Sequence, residues 1–486
     1  MLVSLNVGAA VRRVGYVVAF AALCAAPMVR AQQNPSSATN PFYGSVTVQT
    51  VSDEPVQLSL DDAVRRGLDT NLGLKQAEDT EKSIHGEQNQ AMQQFLPTIS
   101  LTGNTGYHMY NLEADGFGPG LVSKFLPYLP AGTSLTGLSF ITRAEVTQGQ
   151  LHYDQTLFSG PVIAGYKAAR AGVKAAHFAK MSARGEVVQQ VAGAYLRAIA
   201  AASEVDDAKA REEADRVAYV HAHEAHVAGT EANLDELRAH VEYQTEQQAR
   251  IAAENTYEKD LILLKREIGI DPGQKIVLTD RAPYSDLAAQ TPEELRAIAY
   301  KNRQDYQNLI NQVEELKAVH AAYRAQRLPT LSFHGYYGVT QVTSIGSHGD
   351  FSAVGELKFP IFREAGLRGD IDASQAQWKA AQDQLDDLRD HIDEQVRSAL
   401  LDVTANKKLV DVAQSNVALA TRELSDETQR VDAGVDNTLP LVTAQATLAS
   451  AQNNFVESLY QYNYSKLLLA RAAGVLEQQY RDYLGR

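Results

Sequence analysis

Cysteine is nearly absent: the 486 residues contain one, Cys24. It lies in an apolar run, residues 14–26, preceded by Arg12 and Arg13 and followed by Val29-Arg30-Ala31, so residues 1–31 read as a secretory signal peptide. Leu23 is a poor fit to the small residue that lipoprotein processing requires, and the twin arginines read as an ordinary basic n-region. A chain cleaved after Ala31 keeps no cysteine, which excludes a disulfide framework, a thiolate metal site and cysteine-based catalysis. The apolar run is also too short for a membrane-spanning helix. Positive charge is scarce as well: 45 Lys and Arg against 59 Asp and Glu give −14, and −17 once Arg12, Arg13 and Arg30 leave with the signal. That balance argues against a nucleic-acid partner. Neither a Walker phosphate loop nor a Gly-x-Ser-x-Gly elbow is present, so no enzyme and no cofactor are expected.

Helix breakers are missing from one long stretch. No proline falls between Ile371 and Val431, and the glycines of residues 366–434 sit at its ends. Within it Val396, Val403, Val410, Val417, Leu424 and Val431 recur at every seventh position, and Ala399, Ala413 and Ala420 follow three of them by three residues. A seven-residue repeat holds its stripe against a partner only in a left-handed supercoil, so this is a coiled-coil seam. A helix of about 68 residues reaches roughly 100 Å, far more than a globular core uses.

The rest of the chain follows a duplicated plan. Ser59-Leu60-Asp61-Asp62 and Thr291-Pro292-Glu293-Glu294 both open a helix with a capping hydroxyl and an acid three residues on, 232 positions apart. Phe95-Leu96-Pro97-Thr98-Ile99-Ser100 recurs at the same offset as Arg327-Leu328-Pro329-Thr330-Leu331-Ser332. Leu157-Phe158 matches Ile361-Phe362, Gly229 matches Gly434, and Leu263 to Gly269 matches Leu468 to Gly474 at 204 or 205, so the first half carries about 27 extra residues. The expected divisions are a flexible or surface-hugging leader at 32–57, a first repeat at 58–270, a linker at 271–290, a second repeat at 291–475 and a tail at 476–486.

Inside each half the period changes to two. Ile99, Leu101, Tyr107 and Met109 alternate with Ser100, Thr102, Asn104 and His108; Leu151, Tyr153 and Leu157 alternate with His152, Asp154 and Thr156. In the second half Leu331, Phe333, Tyr337 and Val339 alternate with Ser332, His334 and Thr340, and Phe351, Ala353, Leu357, Phe359 and Ile361 with Ser352, Glu356 and Lys358. Four strands of about 10 to 13 residues, apolar on one face, suit a tilted membrane crossing. A Gly- and Pro-rich loop at 111–140 joins the first two, and a shorter one at 343–350 joins the others. Four strands alone would leave two open edges in lipid, each unpaired backbone group at several kcal/mol, so the chain must oligomerise. Two copies give a filled eight-stranded barrel, and three give twelve strands with room for a lumen. Three copies also assemble twelve helical staves, two long ones per chain at about 161–228 and 366–433 and two composites. The first long helix has its own seam at Val188, Val191, Tyr195, Ala198, Ala202 and Val205.

The paired helix openings, the Leu-Pro-Thr strand entries, Leu157-Phe158-Ser159-Gly160 with its partner Pro360-Ile361-Phe362, and the segments after Gly229 and Gly434 together resemble the TolC-like outer-membrane efflux protein family. The similarity runs from Ser59 to Gly474. It implies a mainly α chain with a transmembrane β-barrel: a homotrimer with twelve strands in outer-membrane lipid, an α-barrel tunnel and an equatorial collar. It also implies a periplasmic end that docks an adaptor protein and an inner-membrane transporter.

Gly229 and Gly434 are expected to turn each long helix into its return, with Asn233 and Glu236 as a capping box and Thr438 as a cap before Pro440. The resemblance makes these turns the periplasmic tips. The family's gating aspartates fall on Pro440 and Thr443, which are not acids; Asp432 and Asp436 flank the turn instead and, with Asp235 on the other hairpin, are the candidate gate. Arg430 resembles the tip arginine of the family and is the candidate adaptor contact. His221, His223 and His226 form a cluster open to two readings, exposed helix residues or a metal site, because His223-Glu224-Ala225-His226 lacks the i, i+4 histidines of a zincin helix. Trp378 reads as core packing, and Pro360 as a swivel where the last strand gives way to the long helix. The reading is an exit duct of a tripartite efflux or type I secretion system; the alternative is a periplasmic or secreted coiled-coil scaffold without a pore.

Overall fold

The computed structural model describes residues 38–46, 49–111, 140–229, 232–280, 284–343, 346–433 and 438–485, with isolated positions between 113 and 128. The signal peptide, most of the loop at 111–140, and Gly434 and Asp436 lie outside the described residues. The first half runs β1 (Val56–Leu58), α1 (Leu60–Thr70), α2 (Leu72–Gln93), β2 (Thr98–Asn111), β3 (Ile141–Ser159), α3 (Gly160–Val227) and α4 (Asn233–Glu267). The second runs β4 (Ile276–Leu278), α5 (Pro292–Asn302), α6 (Gln304–Ala325), β5 (Thr330–Val342), β6 (Gly346–Lys358), α7 (Glu364–Asp432), α8 (Thr438–Ala472) and α9 (Leu476–Leu484).

Capping chemistry fixes where the helices start. Ser59 accepts from the Asp62 amide at 3.1 Å and donates to its carboxylate at 2.8 Å. Thr291 and Glu294 form a full capping box: the Glu294 amide donates to Thr291 Oγ1 at 3.3 Å and the Thr291 amide to Glu294 Oε2 at 3.0 Å. Each opening helix then breaks once. Buried Asn71 ends α1 and caps α2, accepting from Gly73 and Leu74 while donating to the Phe42 carbonyl at 2.7 Å. Arg303 stands at the matching break between α5 and α6 and turns its guanidinium to Asp305 and Gln395.

The main sheet has the order β2-β3-β5-β6, antiparallel throughout. Its strands span 14, 19, 13 and 13 residues, so the first two exceed the expected 10 to 13. A bulge between Thr156 and Phe158 carries β3 past the point where the alternation falters. The second turn is tighter than the expected loop at 343–350, because Gly346 to Asp350 pair back onto Val342 to Gly338. Phe359 and Ile361 lie beyond the last strand, since β6 ends at Lys358.

Two helices are rods of 68 and 69 residues. Val396, Ala399, Val403, Val410, Ala413 and Ala420 of the α7 seam are buried, as are Val188, Val191, Tyr195, Ala198 and Val205 of α3. Neighbour packing gives a four-stave wall: α2 and α4 share one edge beside α3, α6 and α8 share the next place, and α7 forms the far edge. The strands keep that order because α2 leads into β2, β3 into α3, α6 into β5 and β6 into α7.

Near mid-height the segments expected as leader, linker and tail join the core. β1 and β4 pair in parallel, Gln49 bridges to Ile270, and Leu476, Tyr480, Tyr483 and Leu484 of α9 are buried. The Tyr195 hydroxyl shares its one proton between the Leu58 carbonyl at 2.8 Å and Asp280 Oδ2 at 2.9 Å, and the Leu60 amide donates to the same carboxylate at 2.7 Å. One tyrosine thus ties a long helix to the end of β1 and to the segment just after β4.

Glu267, at the end of α4, is 5% exposed, and its Oε2 has no hydrogen-bond partner among the described residues. Burial pushes its carboxyl up from 4.5 to about 8, against the pull of Arg197. Between those values only the unfolded chain gives up the proton, so folding stability falls as pH rises through this window and is flat above it. Glu267→Gln is therefore expected to stabilise the protein by ~3 kcal/mol at pH 7. Thermal unfolding should show the gain growing from pH 5 to 8 and vanishing near pH 4.5.

Candidate functional site

The sheet has two unlike faces. Leu101, Leu151, Tyr337 and Phe351 are cross-strand neighbours in one row and point the same way. They are 80%, 49%, 70% and 75% exposed, an apolar belt across all four strands with nothing among the described residues to cover it. The opposite face is polar and knitted together. His334 meets Asp154 at 2.7 Å and Glu356 at 3.5 Å, so one imidazole spans carboxylates on the strands to either side of its own. His152 meets Thr102 at 3.0 Å, and Thr105 meets Thr147 at 2.9 Å on the apolar side. Among the described residues β2 and β6 each have one edge without a partner strand.

The wall has matching open edges. On α4 the positions Leu234, Leu237, Val241, Gln244, Gln248, Ile251, Asn255, Glu258 and Ile262 alternate by three and four, and all are exposed. On α7 Leu401, Ala405, Lys408, Val412, Ser415 and Leu419 do the same on the side away from its buried seam. The two stripes mirror each other about the turns: Ile251 and Ile262 lie 22 and 33 residues after Gly229, and Val412 and Leu401 lie 22 and 33 before Gly434. Sequence reading passed over these stripes, although the 3-4 spacing was there to be counted.

At the first tip α3 ends at Val227, and Gly229 turns the chain with φ +78, its amide donating to the His226 carbonyl at 2.9 Å. The expected capping box does not form. Ala232 occupies the N-cap position, Asn233 is already helical, and Glu236 reaches across the hairpin instead. Glu236 takes His223 at 2.8 Å and also His226, and those hydrogen bonds hold its carboxyl below the usual range. Two positive-capable rings nearby outcompete one backbone amide for the carboxylate. His221 takes no part, and among the described residues no group of three His, Cys, Asp or Glu is arranged to hold a metal. Asp235 pairs with Arg238 at 3.4 Å.

At the second tip α7 ends at Asp432, whose side chain lies outside the described residues, and α8 starts at Thr438. Arg430 pairs with Glu427 at 3.3 Å. Pro360 lies in the link between β6 and α7, where Ile361 and Phe362 are both 92% exposed. The start of α7 is held by Glu364, which accepts from Arg327 at 2.6 Å and Arg368 at 2.9 Å. The first-half crossing has no such link: β3 ends at Ser159 and α3 starts at Gly160, where a Cβ would come within 2.9 Å of Leu328. Trp378 stacks on His320 at 5.9 Å between α6 and α7.

No described helix is long and apolar enough to cross a membrane. The family model for outer membrane efflux proteins matches residues 63–269 and 295–475. No curated protein matches the sequence. Among solved structures, a membrane protein from Pseudomonas aeruginosa aligns with TM-score 0.72 at 19% identity, over 85% of this chain and 93% of its own. The CmeC outer membrane channel of Campylobacter jejuni aligns with TM-score 0.71 at 15% identity, over 92% and 95%. The MtrE outer membrane channel of Neisseria gonorrhoeae aligns with TM-score 0.69 at 17% identity, over 89% and 95%.

Proposed function

The chain belongs to the outer membrane efflux protein family and works at the outer membrane with a long periplasmic portion; from that premise we propose that three copies close into one passive duct. The observation that carries this is the four-stranded sheet with two open edges and one exposed apolar face. An open edge in hydrocarbon leaves backbone groups unsatisfied, and β2 of one copy is antiparallel to β6 of the next. Twelve strands leave a lumen, which the polar face with its His334 bridges would line. The belt through Leu101, Leu151, Tyr337 and Phe351 would meet lipid. Below the barrel, the α4 stripe of one copy would zip to the α7 stripe of its neighbour in mirror register, giving twelve staves.

In this reading residues 58–270 and 291–475 are two copies of one ancestral unit. Each comprises a broken helix, a strand hairpin, a long helix and a return. The link through Pro360 lets the second long helix swing relative to its strand. The chain offers no energy source of its own, so a periplasmic adaptor and an inner-membrane transporter, of an efflux pump or a type I secretion system, would supply it at the tips. Arg430 is the proposed adaptor contact. Gly229 with Asp235 forms the outer tip, and Gly434 between Asp432 and Asp436 forms the inner one, where threefold repetition would make rings of carboxylates that favour cations.

Single-channel recording tests the inner ring. Asp432→Asn with Asp436→Asn should leave conductance but weaken block by a trivalent cation added at the periplasmic side, by about tenfold or more. Undiminished block would remove these two acids from the constriction. Absence of any conductance from the unmodified protein would favour the scaffold.

A further inference from the structure

Between the α3–α4 hairpin and the α7–α8 hairpin lies a cavity of about 190 Å³. One wall is acidic, with Asp207 and Asp215 from α3 and Glu242 and Glu246 from α4 around a single cation, Arg211. Arg211 commits its Nε to Glu246 at 3.0 Å, and its buried Nη1 finds no partner among the described residues. The facing wall is uncharged, made of Leu424 from α7 and Val442, Gln445 and Leu448 from α8. Toward the tip a pocket of about 60 Å³ shares Asp215, Glu242 and Val442 and adds the Asp235 and Arg238 pair.

Asp215 is 8% exposed and opens onto both spaces. Among the described residues its carboxylate has no hydrogen bond or ion pair, and the side chains of Asp207 and Glu242 have none either. A buried acid without a donor is costly, and nature tolerates it where something else supplies the donor. Water or an inorganic cation would suit the acidic wall but would gain nothing from Leu424, Val442 and Leu448. A primary ammonium on a short hydrocarbon suits both walls at once. We propose that the cavity binds a small amphiphilic amine, its ammonium on Asp215 and Glu242 and its hydrocarbon against the α7–α8 hairpin, bridging the two hairpins. Binding does not depend on the duct reading; any effect on opening does.

Burial, then Glu246 and Glu242, push the Asp215 carboxyl up to about 6, with Arg211 opposing. Amine binding should therefore be present at pH 7.5 and fade toward pH 5 as Asp215 takes up a proton. Calorimetry on the full-length, detergent-extracted protein with benzylammonium as the probe should show one saturable site per chain. Asp215→Asn should weaken it about tenfold or more, and Leu448→Ala about threefold. Benzyl alcohol, of similar shape but uncharged, should not compete. Should Asp215→Asn fail to assemble, Glu242→Gln is expected to weaken binding in the same direction. Unchanged affinity in the acid-to-amide variant, equal binding of benzyl alcohol, or no saturable site would each overturn the proposal. A silent channel with intact binding would count against the duct and leave the site standing.

Discussion

Replacing Leu101, Tyr337 and Phe351 together by aspartate should abolish recovery of the assembled protein from the outer membrane. All three belong to the exposed belt, on β2, β5 and β6. If the belt faces hydrocarbon, each carboxylate must be buried in lipid or carried in neutral form. A charge on the lipid face of a barrel costs up to about 2–4 kcal/mol near the midplane, somewhat less for an acid, and a trimer would carry nine of them. Three such charges in each chain cost up to about 6–12 kcal/mol, comparable with the roughly 5–15 kcal/mol by which a folded chain is stable. The matched control is Ser100→Asp with Ser352→Asp, in the adjoining row on the polar face, where a water-filled lumen should accept the charge. Equal tolerance of both sets would mean that the belt is not in lipid.

The second large effect concerns the edges of the wall. Ile251→Glu should leave a single chain folded, because Ile251 is 59% exposed and stands outside the buried core of its own copy. It should nevertheless dissociate the trimer. Burying Ile251 against Val412 of the next copy is worth roughly 1.5–3 kcal/mol per contact, and a closed ring has three such contacts. A glutamate there both removes that burial and leaves an unpaired charge at the seam. The mirror register makes a sharper demand. Val412→Lys in the same chain should restore assembly with Ile251→Glu, and Leu419→Lys, seven residues away, should not. Restoration by both or by neither would discard the register.

Much of this architecture is legible because regular elements have periods. The stretch 366–434, with no proline or internal glycine to break it, implies a rod of nearly the observed length, and the hydroxyl-acid openings at Ser59 and Thr291 cap helices as their spacing implies. What escapes has no period. β1 and β4 are three residues each, and their pairing joins positions 220 apart. Tyr195 reads as a seam residue, which it is, but its bond to Asp280 depends on a fold that brings two distant segments together. Asn71 and Arg303 interrupt helices whose apolar pattern runs on past them. The Asn233 cap fails for a different reason: the sequence offers the motif, and the imidazoles of His223 and His226, across the turn, take Glu236 away. Local rules see only the near side of a hairpin. The exposed stripes on α4 and α7 are countable, yet only the buried seams beside them show that a second stripe is left over.

The most direct measurement is the native mass of the particle extracted by detergent from the outer membrane fraction, with bound detergent subtracted. Closure of the sheet edges predicts three mature chains per particle and dependence on detergent for solubility. A monomer or dimer that stays soluble without detergent would contradict closure, and the belt through Leu101 and Phe351 would need another cover.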